Sequence, residues 1–194
     1  MDLLEKAMAF AAEAHHGMNR KRSGLPYIMH PMEVAVICGS LTYDQEVLAA
    51  ALLHDTVEDT NTTLEELRER FGPRVAALVA AETENKREEL PPELTWRIRK
   101  EESLEELHRA EDPGVRILWL GDKLSNIRSL HRMWLRDGEA VWSCFHQKDP
   151  AQQAWYYRTV ARELEPLADT EAYREYLART ETVFKGVSDC GTSL

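Results

Sequence analysis

The sequence predicts an all-α protein, a single helical domain of about eight to ten helices over residues 1–185 with a loose tail at 186–194. Three observations carry that reading. Apolar residues recur at helical spacing almost throughout. Capping signals and prolines punctuate the chain at helix-length intervals. No strand alternation persists for more than a few residues, and there is no internal repeat or low-complexity segment.

Taken in order, Leu4, Ala7, Met8, Ala11, Ala14 and His15 follow the i, i+3, i+4, i+7 rule and predict a first helix from about Leu3 to His16. A glycine-bearing basic loop follows. Pro31 suits the first turn of a helix reaching about Gly39. Thr42-Tyr43-Asp44-Gln45 matches a capping box, so the next helix starts there and carries an apolar run, Leu48 to Leu53, into His54. Thr62-Thr63-Leu64-Glu65 is a second capping box, opening a short helix that stops at Phe71-Gly72. Pro73 fits the first turn of the next, through about Ala81. Glu84 to Pro92 is polar and reads as a loop. Leu94 to Ala110 reads as a charged amphipathic helix. Asp112-Pro113-Gly114 marks the start of a longer helix through about Arg136, and two more are expected at about 150–165 and 170–184.

The chain has 194 residues, enough for one full-sized core, and its 43% hydrophobic and 30% charged content is ordinary for a soluble globular protein. No apolar stretch is long enough for a membrane span, and MDLLEKAMAF lacks a signal-peptide pattern, so a cytoplasmic location without membrane partners is expected. Cys38, Cys144 and Cys190 match neither a disulfide framework nor a zinc knuckle and read as reduced thiols, Cys38 as a small core residue. A formal charge of -10 argues against nucleic-acid partners, whose binding depends on Lys and Arg neutralising phosphates. Two basic clusters stand out: Arg20-Lys21-Arg22, and Lys86, Arg87, Arg97, Arg99 and Lys100. Each is either a solvated face or a local positive field that steers a small anion. The tryptophans Trp96, Trp134, Trp142 and Trp155, with Tyr156 and Tyr157, concentrate in the second half and read as core or interface residues.

Chemistry concentrates in LLHDTVEDT, where the apolar run delivers His54, Asp55, Glu58 and Asp59 within six residues. Such groups are seldom buried unless something satisfies their charge. Asp122 sits inside the apolar segment Ile117 to Ile127 of the long helix. Leu120, Leu124 and Ile127 fall on the opposite side by the 100° helical step, whereas Asn126, Ser129, Leu118 and Met133 share its face. His30 precedes another apolar helix. Together His30, His54, Asp55 and Asp122 supply two imidazoles and two carboxylates, a set suited to a divalent transition metal. Taken singly, His30 reads more often as a packing residue than as a ligand, and Asp122 reads also as a local cap or ion pair.

Lys21-Arg22-Ser23-Gly24, Pro26-Tyr27-Ile28, His30-Pro31, Ala50-Ala51-Leu52-Leu53-His54-Asp55, Val57-Glu58-Asp59-Thr60 and Asp122-Lys123-Leu124 with Asn126 and Arg128 carry a resemblance. This set resembles the HD-domain metal-dependent phosphohydrolases and, more narrowly, the hydrolase domain of the RelA/SpoT homologues, over about residues 1 to 135. The resemblance implies an all-helical fold and a small stand-alone alarmone hydrolase, since no synthetase or regulatory region fits in the remaining length. It implies removal of pyrophosphate from the 3′ position of guanosine tetra- and pentaphosphate, usually with Mn²⁺, other divalent transition metals being alternatives. His30, His54, Asp55 and Asp122 would be the metal ligands, and Glu58 with Asp59 would assist the attacking water. Lys21, Arg22, Ser23, Tyr27, Asn126 and Ser129 fall where the family contacts base and ribose, and Thr83 with Lys86 resembles its Thr-Lys element. The sequence departs from the family in the order Lys21-Arg22, in Gly121 where alanine is common, and between Glu82 and Ala110.

Helical spacing supports these roles. If helicity persists past Asp55, Glu58 lies one turn from His54 and Asp59 one turn from Asp55. A metal lowers the pKa of a water, and a nearby carboxylate can orient it or take its proton. The other readings are an HD-family phosphatase acting on NADPH or a nucleoside monophosphate, and a nucleotide-binding sensor with negligible turnover. The sequence does not indicate an oligomeric state.

Overall fold

The computed structural model describes residues 2–20, 24–85, 87 and 89–188. Its elements are α1 (Leu3–Ala14), α2 (Met29–Gly39), α3 (Gln45–Leu53), α4 (Thr56–Asp59), α5 (Leu64–Phe71), α6 (Pro73–Ala80), α7 (Pro92–Arg109), α8 (Pro113–Asp137), α9 (Pro150–Glu163) and α10 (Glu171–Val183). Two 3-10 segments, Gly138–Cys144 and Glu165–Leu167, flank α9. Among the described residues the only extended pairing is an isolated bridge between Asn19 and Pro26, so the all-α expectation holds. No described helix is long and apolar enough to cross a membrane.

Helix starts differ from expectation in a consistent way. The α3 cap is Asp44, whose carboxylate accepts from the Glu46 amide, while Thr42 accepts from the Asp44 amide in the turn before it. The α5 cap is Thr63, not Thr62. In both cases a second capping-type residue stood beside the first, and the one adopting extended backbone became the cap. α1 ends at Ala14, two residues early, and the 3-10 segments had no sequence signal of their own. The expected loose tail falls largely outside the described residues.

Contacts gather these helices into two compact units, Met1–Thr83 with Ala110–Ser125, and Glu84–Arg109 with Asn126–Leu194. In the first unit α3 is central and packs on α1, α2 and α6. Ala49, Ala50, Ala51, Leu52 and Leu53 are all buried, as expected for a helix apolar on every side. Arg74 ties three elements together, donating to Asp44, Glu46 and Asp112 at the starts of α3 and α8. The second unit packs α9 against α7 and α10. Its interior is aromatic: Trp96 meets Trp155 and Tyr156, and Trp142 stacks on Phe184 at 5.5 Å. The tryptophan-rich half therefore supplies core.

Gly121 explains one departure from the family pattern. A Cβ at that position would lie 2.6 Å from Cys38 Sγ and 3.2 Å from both Val34 Cγ1 and the Val34 carbonyl. Glycine lets α8 lie directly on α2, with Cys38 buried at the contact as a core thiol. Both helices carry site residues, so their separation matters to the site. We expect Gly121→Ala to destabilise the fold by about 1–3 kcal/mol in denaturant unfolding. Cys38→Ala in the same chain removes the sulfur and should make the pair less than additive. A Gly121→Ala protein as stable as wild type would refute the close approach.

Candidate metal centre

Three segments of the first unit converge. His30 lies in the first turn of α2. α3 carries its apolar run to Leu53 and delivers His54 and Asp55 at the joint with α4. Asp122 comes from mid-α8. α4 is a single turn in which the Asp59 amide donates to the Asp55 carbonyl, and this brings Asp59 back toward Asp55.

Four side-chain atoms alternate around a closed ring. His30 Nε2 is 2.9 Å from Asp122 Oδ1, which is 3.6 Å from His54 Nε2; His54 Nε2 is 3.2 Å from Asp55 Oδ2, which is 3.5 Å from His30 Nε2. Ligands held at about 2.0–2.2 Å from one ion stand roughly 3–3.6 Å apart, so the ring has the size of a single coordination sphere. His30, His54 and Asp122 are buried and offer ligand atoms all within 4.8 Å of one another.

The imidazoles are held in the tautomer a cation requires. His54 Nδ1 is 2.9 Å from the Ala51 carbonyl, an acceptor, so Nδ1 carries the proton and Nε2 keeps its lone pair. That Nε2 is buried and makes no aligned hydrogen bond of its own, as a metal-directed nitrogen would. His30 Nδ1 is 2.9 Å from Ser125 Oγ, whose hydroxyl donates to Glu33 Oε2 at 2.9 Å. The serine proton is engaged by the carboxylate, so the serine oxygen accepts from His30 and Nε2 again faces the ring unprotonated.

The carboxylates are also fixed. Lys123 Nζ donates to Asp122 Oδ2 at 2.6 Å and to Glu82 Oε1 at 3.1 Å, leaving Asp122 Oδ1 to the ring. Burial acts to raise the Asp122 carboxyl, but Lys123 and the two imidazoles outweigh it and hold it well below the usual range. Burial acts to lower His54, yet the neighbouring carboxylates of Asp55 and Asp122 lift it well above the ordinary imidazole value. Such a cluster strongly favours an added positive charge. The Tyr27 hydroxyl lies 2.8 Å from Asp55 Oδ2 and 2.8 Å from Asp59 Oδ2, sharing one proton between two carboxylates. Burial and those two charges push its phenol far up, so it stays a donor.

The sequence-expected residues therefore fall into groups. His30, His54, Asp55 and Asp122 are brought together, with Asp59 linked through Tyr27 and Glu58 half-buried on the same turn. Tyr27 was expected at base or ribose, but its polar end is engaged with carboxylates. Thr83 donates to the Val79 carbonyl just past α6. Asn126 and Ser129 follow Asp122 on α8 and belong to the second unit, where Ser129 accepts from Arg132. Lys21, Arg22, Ser23 and Lys86 lie outside the described residues.

Sequence reasoning missed Glu33, Ser125, Lys123, Glu82 and His15. Two of these carried a usable signal, because Glu82 extends the Val75, Val79 stripe and His15 extends the Ala7, Ala11 stripe, polar groups at core positions. Burial raises the Glu82 carboxyl to about 8, against the opposing pull of Lys123.

Comparison with known proteins agrees with this geometry. Residues 7–149 match the HD domain family. The guanosine-3′,5′-bis(diphosphate) 3′-pyrophosphohydrolase of Aquifex aeolicus is 44% identical over 127 residues, covering 66% of this chain and 18% of that protein. A GTP pyrophosphokinase of Myxococcus xanthus is 38% identical over 135 residues, 69% of this chain and 18% of that protein. The chain thus spans under a fifth of the length of these curated relatives. Among solved structures, a metazoan ortholog of SpoT that hydrolyzes ppGpp superposes with TM-score 0.71 at 26% identity, covering 95% of this chain and 94% of that one. A Listeria monocytogenes protein gives 0.70 at 34%, covering 80% and 99%.

The Glu33–Ser125–His30 relay makes a prediction of its own. Ser125→Ala frees the His30 ring to adopt the wrong tautomer and should weaken divalent-metal affinity about 10–100-fold, measured by competition with a chelating dye. Glu33→Ala should do the same more weakly, since the serine hydroxyl loses its acceptor. Unchanged affinity in both variants would show that the relay does not orient His30.

Proposed function

The chain belongs to the HD-domain family, and from that premise we propose that it is a metal-dependent pyrophosphohydrolase removing the 3′-diphosphate of guanosine tetra- or pentaphosphate. The observation that carries this reading is the ion-sized ring of two imidazoles and two carboxylates with a further carboxylate, Asp59, joined to it through Tyr27. The names of the Aquifex relative and of the metazoan neighbour support the choice of substrate.

In this reading His30 and His54 through Nε2, Asp122 through Oδ1 and Asp55 through Oδ2 hold the ion. The nitrogen and oxygen donors suit Mn²⁺, which the family resemblance favours, as well as other divalent transition metals. A divalent cation there supplies Lewis acidity and lowers the pKa of a water. Asp59, oriented by the Tyr27 hydroxyl, takes the proton of the attacking water, and Glu58 on the same turn helps orient it. The water oxygen bonds to the phosphorus at the ribose 3′ position, the bond from phosphorus to the 3′ oxygen breaks, and that oxygen takes up a proton as pyrophosphate departs. Lys21, Arg22, Ser23, Lys86, Thr83, Asn126 and Ser129 are the residues assigned to hold the nucleotide, with Tyr27 serving the catalytic side. The reaction would take place in the cytoplasm.

The test is a nucleotide panel incubated with Mn²⁺-loaded protein: guanosine tetraphosphate, NADPH and nucleoside monophosphates. Pyrophosphate release from the alarmone in preference to the others is the expected result. Asp59→Asn should keep its metal and lower kcat about a hundredfold or more, the scale of lost acid-base assistance. Tight alarmone binding by the Mn²⁺ form without pyrophosphate release would replace the hydrolase reading with a sensor.

A further inference from the structure

His15 is a buried polar group of the first unit to which the site described so far gives no role. It is 3% exposed, and both ring nitrogens are buried with no hydrogen-bond partner. The neighbouring core positions of α1, Ala7 and Ala11, are fully buried, and an apolar residue would fill the place with nothing left unsatisfied. An unpaired buried donor or acceptor carries the full penalty of its lost hydration, so such a group persists where it has a task.

The surroundings indicate the task. The His15 ring lies against Tyr27, centroids 4.8 Å apart and planes tilted by 34°. Backbone bonds fix that neighbourhood: the Met18 amide donates to the His15 carbonyl, and the Tyr27 amide donates to the Met18 carbonyl. Tyr27 in turn touches Asp55 and Asp59. His15 also feels the charges of Asp55, Asp59, His54 and His30, so it stands in the field of the whole cluster. Burial, the largest influence, lowers its pKa, which leaves a neutral ring with one N–H donor and one lone pair. Beside Tyr27 and within the field of Asp55 and Asp59, that ring carries a donor without adding negative charge.

We propose that His15 is a diphosphate-binding residue, donating a ring N–H to a non-bridging phosphoryl oxygen beside Tyr27 and Asp59. The assignment rests on the phosphohydrolase reading above and adds to it a group that contacts the transferred phosphates from α1.

The test uses inorganic pyrophosphate as probe, the Mn²⁺-loaded full chain, and three variants. His15→Phe keeps a flat ring against Tyr27 and removes both unpaired nitrogens. It should raise Tm by about 2–4 °C while weakening pyrophosphate binding about tenfold or more by calorimetry, at unchanged metal content. His15→Asn and His15→Gln each place one amide near a former ring nitrogen, and one of the two should restore part of the binding. These two carry the test if the phenylalanine variant does not melt cooperatively. Equal pyrophosphate binding by wild type and variants overturns the proposal, as does binding by neither. A fall in Tm for all three with binding unchanged also overturns it, marking His15 as a packing residue. The probe is not a nucleotide, so a chain that binds pyrophosphate through His15 yet leaves guanosine tetraphosphate intact refutes the nucleotide assignment alone.

Discussion

The first unit is organised around two carboxylates and two imidazoles held within a ring whose edges run from 2.9 to 3.6 Å. Charges this close in a dry interior demand compensation, because burying an unpaired ion is among the most expensive acts in folding. Everything nearby is explained by the need to keep these four groups converged. α3 is apolar on every side so that its C-terminal end can be driven into the interior. α8 carries glycine at 121 so that it can lie on α2 closely enough for Asp122 to meet His30. Arg74 fastens the starts of α3 and α8 far from the ring, where its partial exposure makes it a geometric tie more than a source of stability.

Each member of the ring is oriented by a group behind it, and the four groups are of different kinds. A backbone carbonyl serves His54, a serine backed by a glutamate serves His30, a lysine serves Asp122, and a tyrosine serves Asp55. For His30, His54 and Asp122 one atom faces inward and the other is engaged outward, whereas in Asp55 the same oxygen, Oδ2, faces the ring and accepts from Tyr27. A site assembled by chance burial would leave these second atoms solvated or mismatched. Here Ala51 serves His54 from three residues back along the chain, Lys123 adjoins the Asp122 it holds, and Ser125 and Tyr27 reach His30 and Asp55 from distant parts of the chain.

The fold and the ring were legible in the sequence for the same reason, namely that both are written in local spacing. Helical periodicity announced every long helix, and the apolar run ending in His54-Asp55 announced a buried polar cluster. What stayed hidden depends on contacts between elements distant in the chain. Thr42 and Asp44, two residues apart, gave no hint of which would cap α3. Glu33 is an ordinary polar residue of α2 until α8 brings Ser125 beside it. Tyr27 was assigned to the nucleotide by the family resemblance alone. Only the folded chain shows its hydroxyl between Asp55 and Asp59. Glu82 and His15 were the readable exceptions, since each places a titratable group where the helical stripe calls for an aliphatic one.

Glu82 also settles how Lys123 divides its charge. An ammonium between two carboxylates could be neutralised by either, and full sharing would leave Asp122 only half compensated. Burial raises the Glu82 carboxyl to about 8, toward the neutral form, in which it accepts a hydrogen bond from Lys123 while cancelling less of its charge. The lysine's field then falls on Asp122, whose Oδ2 it holds at 2.6 Å, and the charge that remains for a divalent ion to balance is smaller than the count of acidic residues suggests. The count of acidic residues therefore overstates the negative charge at the ring, since Glu82 is pushed toward its neutral form, Asp122 is paired with Lys123, and Asp55 and Asp59 both accept from Tyr27.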